Sequence, residues 1–118
     1  MNNINEEIKQ HSLWLKSNGR DGKQADLSGM SYVKLNLKGV NLSGAILINT
    51  AFIDCNLNSA NFSSAIAEFS DWKRSELVGA DFTNARLTAA NFFRANIAKA
   101  KFDHSDTRNC EFTYSKRK

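Results

Sequence analysis

The chain has 118 residues, the length of one domain, and 42% of them are hydrophobic, with 6 glycines and no proline. This composition argues against a disordered chain, and no apolar run approaches the roughly 18 residues that a membrane span needs. The net charge of +4 lies at the ends, because residues 1–24 carry four basic and three acidic side chains, residues 25–114 nine of each, and residues 115–118 three basic ones. We therefore expect a cytoplasmic protein with no membrane partner, since the polar start MNNINEEIKQ does not resemble a signal peptide.

A short amphipathic helix is predicted over residues 3–16. Its apolar residues recur along one helical face: Ile4, Ile8, Leu13, Trp14 and Leu15. Asn3 followed by Glu6 is typical of a capping box at a helix start. The pair Asn18 and Gly19 supplies the left-handed residues at which helices end.

From residue 25 onward the sequence divides into eighteen blocks of five residues without an insertion, from ADLSG, MSYVK and LNLKG to SDTRN and CEFTY. A helix would turn about 500° over five residues, so successive blocks could not align an apolar stripe. Five is an odd number, so a flat strand would point successive block centres to opposite faces. The remaining solution is a chain that turns the same way once per block and winds into a tube.

The block centres support an inward-facing column. Sixteen of the eighteen are large and apolar or aromatic. They are Leu27, Tyr32, Leu37, Leu42, Leu47, Phe52, Leu57, Phe62, Ala67, Trp72, Leu77, Phe82, Leu87, Phe92, Ile97, Phe102, Thr107 and Phe112. Small residues predominate two places earlier, as an inward corner requires, and the remaining positions are mostly polar. Aromatic centres fall only on even-numbered blocks, which fits a tube with two, four or six sides.

The blocks ADLSG, VNLSG, ANFSS, ADFTN and ANFFR resemble the A-(D/N)-(L/F)-x-x repeat of the pentapeptide-repeat family, and the resemblance covers 90 of the 118 residues. It implies an all-β solenoid, a right-handed four-sided β-helix with four repeats per coil and about 4.5 coils. The segment HSLWLKSNGRDGKQADLSG is similar to the opening of many bacterial and phage members. Departures from the repeat are Met30, Leu35 and Val40 at the small corner and Ala67 and Thr107 at the centre.

With four sides, residues twenty apart would stack, and one interior aromatic ladder is predicted: Tyr32, Phe52, Trp72, Phe92 and Phe112. We expect the Trp72 indole to fill the space that Ala67 leaves. Cys55 and Cys110 would lie at inward corners on different sides, about 14 Å apart along the coil. This separation predicts buried reduced thiols instead of a disulfide.

The resulting interpretation is a single domain over residues 1–118. Residues 1–24 form a helix and turn that cover the first coil with Ile4, Ile8, Leu13 and Trp14, residues 25–114 form the repeats, and residues 115–118 form a solvated, frayed basic tail. At the C-terminal end of the repeats two outcomes stay open. Either Thr107 and the charged tail blunt the exposed sheet edge, or two chains meet there.

The outer surface carries an unusual apolar cluster on two neighbouring sides. One side has Ile46, Ile48, Ile66 and Phe69, and the next has Val33, Ile53 and Phe93. Such segregation predicts a face that binds a protein partner or a second copy of the chain. The alternatives are that N-terminal residues fold over the cluster, or that outward β-branched residues merely favour an extended backbone.

A basic column borders this cluster, formed by Lys34, Arg74 and Arg94 and interrupted by Asp54. These cations could pair with carboxylates or phosphates of a partner.

Catalysis is not expected, because the sequence has no Ser-His-Asp set, phosphate loop, CxxC or histidine cluster, and we expect no cofactor or metal. His11, alone in its segment, is predicted to be a helix-surface or cap residue. The sequence therefore favours a non-enzymatic protein-binding module that regulates or inhibits a bacterial or phage enzyme. The family resemblance suggests a second function, a DNA mimic acting on a topoisomerase such as gyrase, which the balanced charge of the repeats disfavours. Binding of nucleic acid through the basic column and tail is a third, weaker option.

Overall fold

The computed structural model describes residues 4–118. Helix α1, Ile4–Lys16, is followed by strands β1, Ser31–Val33, and β2, Ala51–Ile53, which pair in parallel. The remaining coil is held by isolated parallel bridges, because each side of the coil contributes only a short extended segment before the chain turns. Within residues 4–118 no helix is long and apolar enough to cross a membrane.

The bridges fix the number of sides. Each of them joins residues twenty apart, as in the ladder Asp26, Ile46, Ile66, Arg86 and Asp106. Four blocks of five residues therefore complete one coil. We call the sides 1 to 4: side 1 begins at residues 25, 45, 65, 85 and 105, and sides 2, 3 and 4 begin five, ten and fifteen residues later.

Each block ends in a left-handed residue, and this residue makes the corner of the coil. The fifth residue of all eighteen blocks has a φ between 55° and 76°. In most blocks the next residue then donates its backbone N–H to the carbonyl of the preceding block centre, as Met30 does to Leu27 at 3.0 Å, whereas Cys55 donates to Ser75 Oγ at 2.9 Å. The burial of the block centre and the turn of the backbone therefore both repeat every five residues.

The aromatic ladder predicted from the sequence is confirmed. Its neighbouring ring centroids lie 5.1–6.0 Å apart in the order Tyr32, Phe52, Trp72, Phe92 and Phe112. A second stack lies edge-on to the first and is formed by Phe62, Phe82 and Phe102. Trp72 is fully buried, and its indole N–H donates to Ser70 Oγ at 2.6 Å. The Ser70 hydroxyl in turn donates to the carbonyl of Ala67 at 2.6 Å, which links the indole to the block that lacks a large centre.

Helix α1 ends as predicted. The residue Asn18 has a φ of 55°, and the N–H of Gly19 donates to the carbonyl of Trp14 at 2.9 Å. This is the bonding pattern of a Schellman motif. The capping box predicted at Asn3 lies outside the described residues.

The helix covers the first coil with a narrower face than predicted. Ile4 is buried in the core, and Ile8 packs against it. The prediction that Leu13 joins them is wrong, because Leu13 is 41% exposed. The segment between the helix and the first coil is also held by Gln24, whose side-chain amide donates to the carbonyl of Gly44 at 2.8 Å.

The surface position predicted for His11 is wrong as well. The imidazole is completely buried between the helix and the first coil. The backbone N–H of Ala25 donates to Nδ1 at 2.9 Å, so Nε2 carries the proton and donates to the carbonyl of Ser43 at 2.7 Å. Trp14 stacks on the outer side of the ring, with the centroids 5.3 Å apart. His11 therefore joins the helix to the coil through two backbone groups.

The C-terminal residues extend the coil, so the prediction of a frayed tail is wrong as far as Lys116. The N–H of Lys116 donates to the carbonyl of Ala95 at 2.9 Å, and its carbonyl accepts from the N–H of Ile97 at 2.7 Å. Both cysteines are free thiols as predicted. Cys55 is buried, but Cys110 is partly exposed because it lies in the last blocks of the coil.

Candidate functional site

The exposed large apolar side chains of the described coil are confined to two adjacent sides. They are Val33, Ile48, Phe69 and Tyr114, on sides 1 and 2. Sides 3 and 4 expose none within residues 25–118. Val33, Ile48 and Phe69 belong to the predicted apolar cluster, whose other members, Ile46, Ile53, Ile66 and Phe93, are partly buried. Contiguous apolar patches of this kind are uncommon on surfaces that meet only water.

Ile46 and Ile66 lie opposite each other on side 1 and form a parallel bridge. They occupy the second position of their blocks, where ten other blocks have Asn or Asp. In those ten blocks the side-chain oxygen accepts the backbone N–H two residues later, as Asp81 does from Thr83 at 2.9 Å. Isoleucine cannot make this bond, which contributes about 0.5–1.5 kcal/mol. These two residues thus replace a local stabilising contact with a half-buried apolar surface.

Phe69 completes the apolar surface of side 1 at a corner of the coil. Its φ of 60° is left-handed, and its ring is 63% exposed. A left-handed conformation costs an ordinary side chain about 1–2 kcal/mol, and a bulky aromatic residue is rare there. All eighteen corners share this backbone conformation, so what distinguishes Phe69 is its exposed aromatic side chain.

On side 2, the structure brings together two of the three predicted residues. Val33 pairs with Ile53 between β1 and β2. Phe93 is separated from them by Lys73, which occupies the same position in the intervening coil and lies 3.5 Å from Asp71. The apolar face therefore consists of Ile46, Ile48, Ile66 and Phe69 on side 1 and Val33 and Ile53 on side 2.

Phe93 belongs instead to an aromatic cluster around Arg94. The guanidinium carbon of Arg94 lies 5.4 Å from the Phe93 ring centroid and 5.5 Å from that of Tyr114. Tyr114 is 76% exposed and was not predicted as a site residue. Its position at the corner twenty residues after Arg94 could have indicated it.

The predicted basic column does not act as three equal cations. Arg74 donates to both carboxylate oxygens of Asp54, at 3.0 and 3.3 Å, and this bond raises the arginine pKa. Lys34 and Arg94 make no ion pair within residues 4–118. The interrupting acid seen in the sequence therefore neutralises the centre of the column.

Glu68 introduces a carboxylate next to the apolar face, in the block of Ile66 and Phe69. One oxygen lies 2.9 Å from an Arg86 nitrogen. The other, Oε1, is buried and has no hydrogen-bond partner in the described part of the chain. A buried acceptor without a donor is costly, so Oε1 has an unused capacity to accept a hydrogen bond. Sequence patterns gave no indication of it.

The described residues offer little for covalent or metal chemistry. No group of three or more His, Cys, Asp or Glu side chains in residues 4–118 could hold a metal ion. Burial raises the pKa of both Cys55 and Cys110, which disfavours the reactive thiolate form.

Comparison with protein families gives one match. A model described as pentapeptide repeats, in eight copies, matches residues 23–58, 36–68 and 55–92, which together cover more than half of the chain. Comparison with curated protein sequences gave no match.

Solved structures of similar fold include a pentapeptide repeat protein from the thylakoid lumen of Arabidopsis thaliana, at 26% identity and a TM-score of 0.75 over 79% of this chain and 65% of that one. HetL, a protein involved in heterocyst differentiation regulation from the cyanobacterium Nostoc, shares 24% identity at a TM-score of 0.67 over 72% and 39%. QnrB1, a plasmid-mediated fluoroquinolone resistance protein, in a trypsin-treated form, shares 24% identity at a TM-score of 0.54 over 80% and 64%. The chain thus spans less than two thirds of the length of each.

Proposed function

The chain belongs to the pentapeptide-repeat family, and on that premise we propose that it is a non-enzymatic module that binds a protein partner through the apolar face of sides 1 and 2. The observation that carries the proposal is the confinement of exposed large apolar side chains to these two sides. We take the coil to be the right-handed β-helix of about 4.5 turns that the family implies. Such a coil presents a face that needs no ordering before it binds.

The chemistry around the face specifies the partner. Ile46, Ile66 and Phe69 would accept apolar side chains of the partner at the centre of the contact. Arg94, held between two aromatic rings, would receive a carboxylate at the edge of the contact.

We further propose that the partner is an enzyme, regulated or inhibited by the module in the cytoplasm of a bacterium or its phage. Two structural relatives support a regulatory function in general terms: HetL is described as involved in the regulation of differentiation, and QnrB1 as a resistance protein. The lumenal Arabidopsis relative shows that family members also work in other compartments.

The other two functions have less support. A DNA mimic needs an excess of negative charge, whereas residues 25–114 carry nine acidic and nine basic side chains. Nucleic-acid binding along side 2 is weakened because Arg74 is already paired with Asp54. A gyrase supercoiling assay tests the DNA-mimic hypothesis, and we expect supercoiling to be unaffected.

The test compares the wild type with the variant Ile46→Asp, Ile66→Asp, Phe69→Asp in affinity capture from cells, followed by measurement of the binding constant for the captured partner. Aspartate suits the second position of a block, as Asp26 and Asp81 demonstrate, so the variant should fold. We expect binding to weaken at least about 100-fold, the scale of losing two or more apolar anchors.

The matched control places the same three charges on side 4, as Asn41→Asp, Asn61→Asp and Ser64→Asp, and should bind like the wild type. A partner bound equally well by both variants would refute the apolar face as the interface. Light scattering of the same proteins tests whether the partner is a second copy. In that case the wild type and the side 4 variant would be dimers and the side 1 variant a monomer.

A further inference from the structure

A cation lies over the last interior aromatic ring at the C-terminal end of the coil. Because Lys116 pairs with Asn96 in the ladder of side 3, Arg117 falls at the block centre, where other blocks have Leu or Phe. Its guanidinium carbon lies 4.5 Å from the ring centroid of Phe112. No carboxylate within residues 4–118 forms an ion pair with it. Arg117 is itself exposed, so its unpaired charge stays solvated and is free to meet an anion.

Arg117 lines a cavity of about 420 Å³ at this end of the coil. The apolar part of the lining is Ile97, Ala100, Phe102 and Phe112, and the polar part is Lys99, Thr107 and Arg117. The hydroxyl of Thr107, one of the two block centres that depart from the repeat, makes no hydrogen bond in the described structure. This volume lies within the range of ligand pockets, about 300–1,000 Å³, and the combination of an apolar floor with a few polar groups is typical of them.

The end of the coil around the cavity is positively charged. Residues 95–118 carry six basic and three acidic side chains, whereas residues 25–94 carry six of each. Asp106 is already paired with Arg108 at 2.6 Å, and Glu111 accepts from Thr113. Asp103 and Glu111 are left against five basic side chains, because the bond from Thr113 leaves the charge of Glu111 in place. The cavity therefore favours an anion.

We propose that this end cavity binds an amphipathic organic anion, a carboxylate with an unbranched apolar chain. The carboxylate pairs with Arg117 and Lys99, with the Thr107 hydroxyl as a further donor, and the chain lies on Phe102 and Phe112. A second copy of the protein fits less well, because a two-fold contact would bring the Arg117 and Lys99 rims of both copies together. The proposal is independent of the apolar face on sides 1 and 2.

The test uses decanoate and 1-decanol, kept below the concentrations at which they aggregate, in calorimetric titrations of the full chain. We expect one decanoate per chain, bound at least about tenfold more tightly than the alcohol. Arg117→Leu removes the charge but places the residue that other blocks have at their centres, so it should fold. It should weaken decanoate binding about 10- to 100-fold, the range for a hydrogen bond to a charged group, and abolish the preference for decanoate over decanol.

Lys118→Leu is the matched control, because it removes the same charge one residue away from a side chain that does not line the cavity. It should bind decanoate within about twofold of the wild type. Three results would overturn the proposal: no stoichiometric binding of decanoate, equal affinity for decanoate and decanol, or equal losses in the two variants. Sedimentation that finds a dimer dissociated by Arg117→Leu would instead assign this end to a second copy and would also overturn it.

Discussion

The two ends of the coil close an open cross-section in different ways. At the N-terminal end, α1 and His11 cover the first coil, and Leu27 is 1% exposed. At the C-terminal end, Phe102 and Phe112 have the same inward positions but remain partly exposed beside a cavity. From this difference we expect blocks with the same repeat pattern to contribute unequally to the stability of the protein. In a coil whose blocks contact mainly their neighbours, what covers an end block decides how much that block contributes.

The largest effect should come from replacing an aromatic residue in the closed interior. Trp72→Ala should lower the free energy of unfolding by about 3–5 kcal/mol, because the indole is fully buried between four rings. Phe112→Ala, in the same ladder at the open end, should cost only about 1–2 kcal/mol. Urea unfolding followed by circular dichroism measures both. Equal costs would mean that the C-terminal end is as well closed as the middle.

A somewhat smaller loss of folding stability is expected from a substitution at the closed N-terminal end. His11→Leu keeps an apolar volume but leaves the N–H of Ala25 and the carbonyl of Ser43 buried without partners. Two unsatisfied backbone groups should cost about 2–4 kcal/mol. Exchange of backbone amide hydrogens should also become faster in this variant, and the increase should be larger in the first coil than in the middle coils. Lys9→Ala, on the exposed surface of the same helix, is the control and should change stability by less than about 0.5 kcal/mol. Slow exchange of the first coil in His11→Leu would argue against a cap held by the imidazole.

These contrasts show what the sequence could predict. A period of five made the inward column and its ladder from Tyr32 to Phe112 predictable, because burial repeats with the backbone turn. The burial of His11 could not be predicted, because its hydrogen-bond partners are backbone groups 14 and 32 residues away, and backbone groups leave no pattern in the sequence. The contact of Arg117 with Phe112 could not be predicted, because it depends on the pairing of Lys116, and a basic terminal segment gives no sign of such pairing.

For the apolar face, the sequence identified the residues, but we did not deduce from it which of them are neighbours on the folded surface. The outward positions of Ile46 and Ile66 followed from the register of the blocks. The separation of Phe93 from Ile53 by Lys73, and the pairing of Arg74 with Asp54, were also twenty-residue relations and could have been deduced. The orphan oxygen of Glu68 could not, because it depends on side-chain conformation.

Acidification should weaken the N-terminal end selectively. Burial lowers the pKa of His11 below its ordinary value of 6.5, because a protonated ring must give up the bond from Ala25 and remain buried with a charge. The unfolded chain therefore binds this proton more readily, and the stability due to neutral His11 is complete above about pH 6.5 and falls as the pH drops through that value. The stability difference between wild type and His11→Gln should accordingly shrink between pH 7.5 and pH 5. A difference that does not change with pH would exclude His11 as the responsible group.

The smallest effect should come from closing the open end. Arg117→Leu replaces an exposed guanidinium with a residue typical of the block centre, and it loses a cation–π contact of about 0.5–1 kcal/mol while gaining apolar burial on Phe112. We expect a net gain in stability of no more than about 1 kcal/mol. The informative quantity is the coupling, because Phe112→Ala should cost more in the Arg117→Leu background than in the wild type, by about 0.5 kcal/mol or more. Additive effects in this double-mutant cycle would show that the side chain at position 117 does not cover the ring of Phe112.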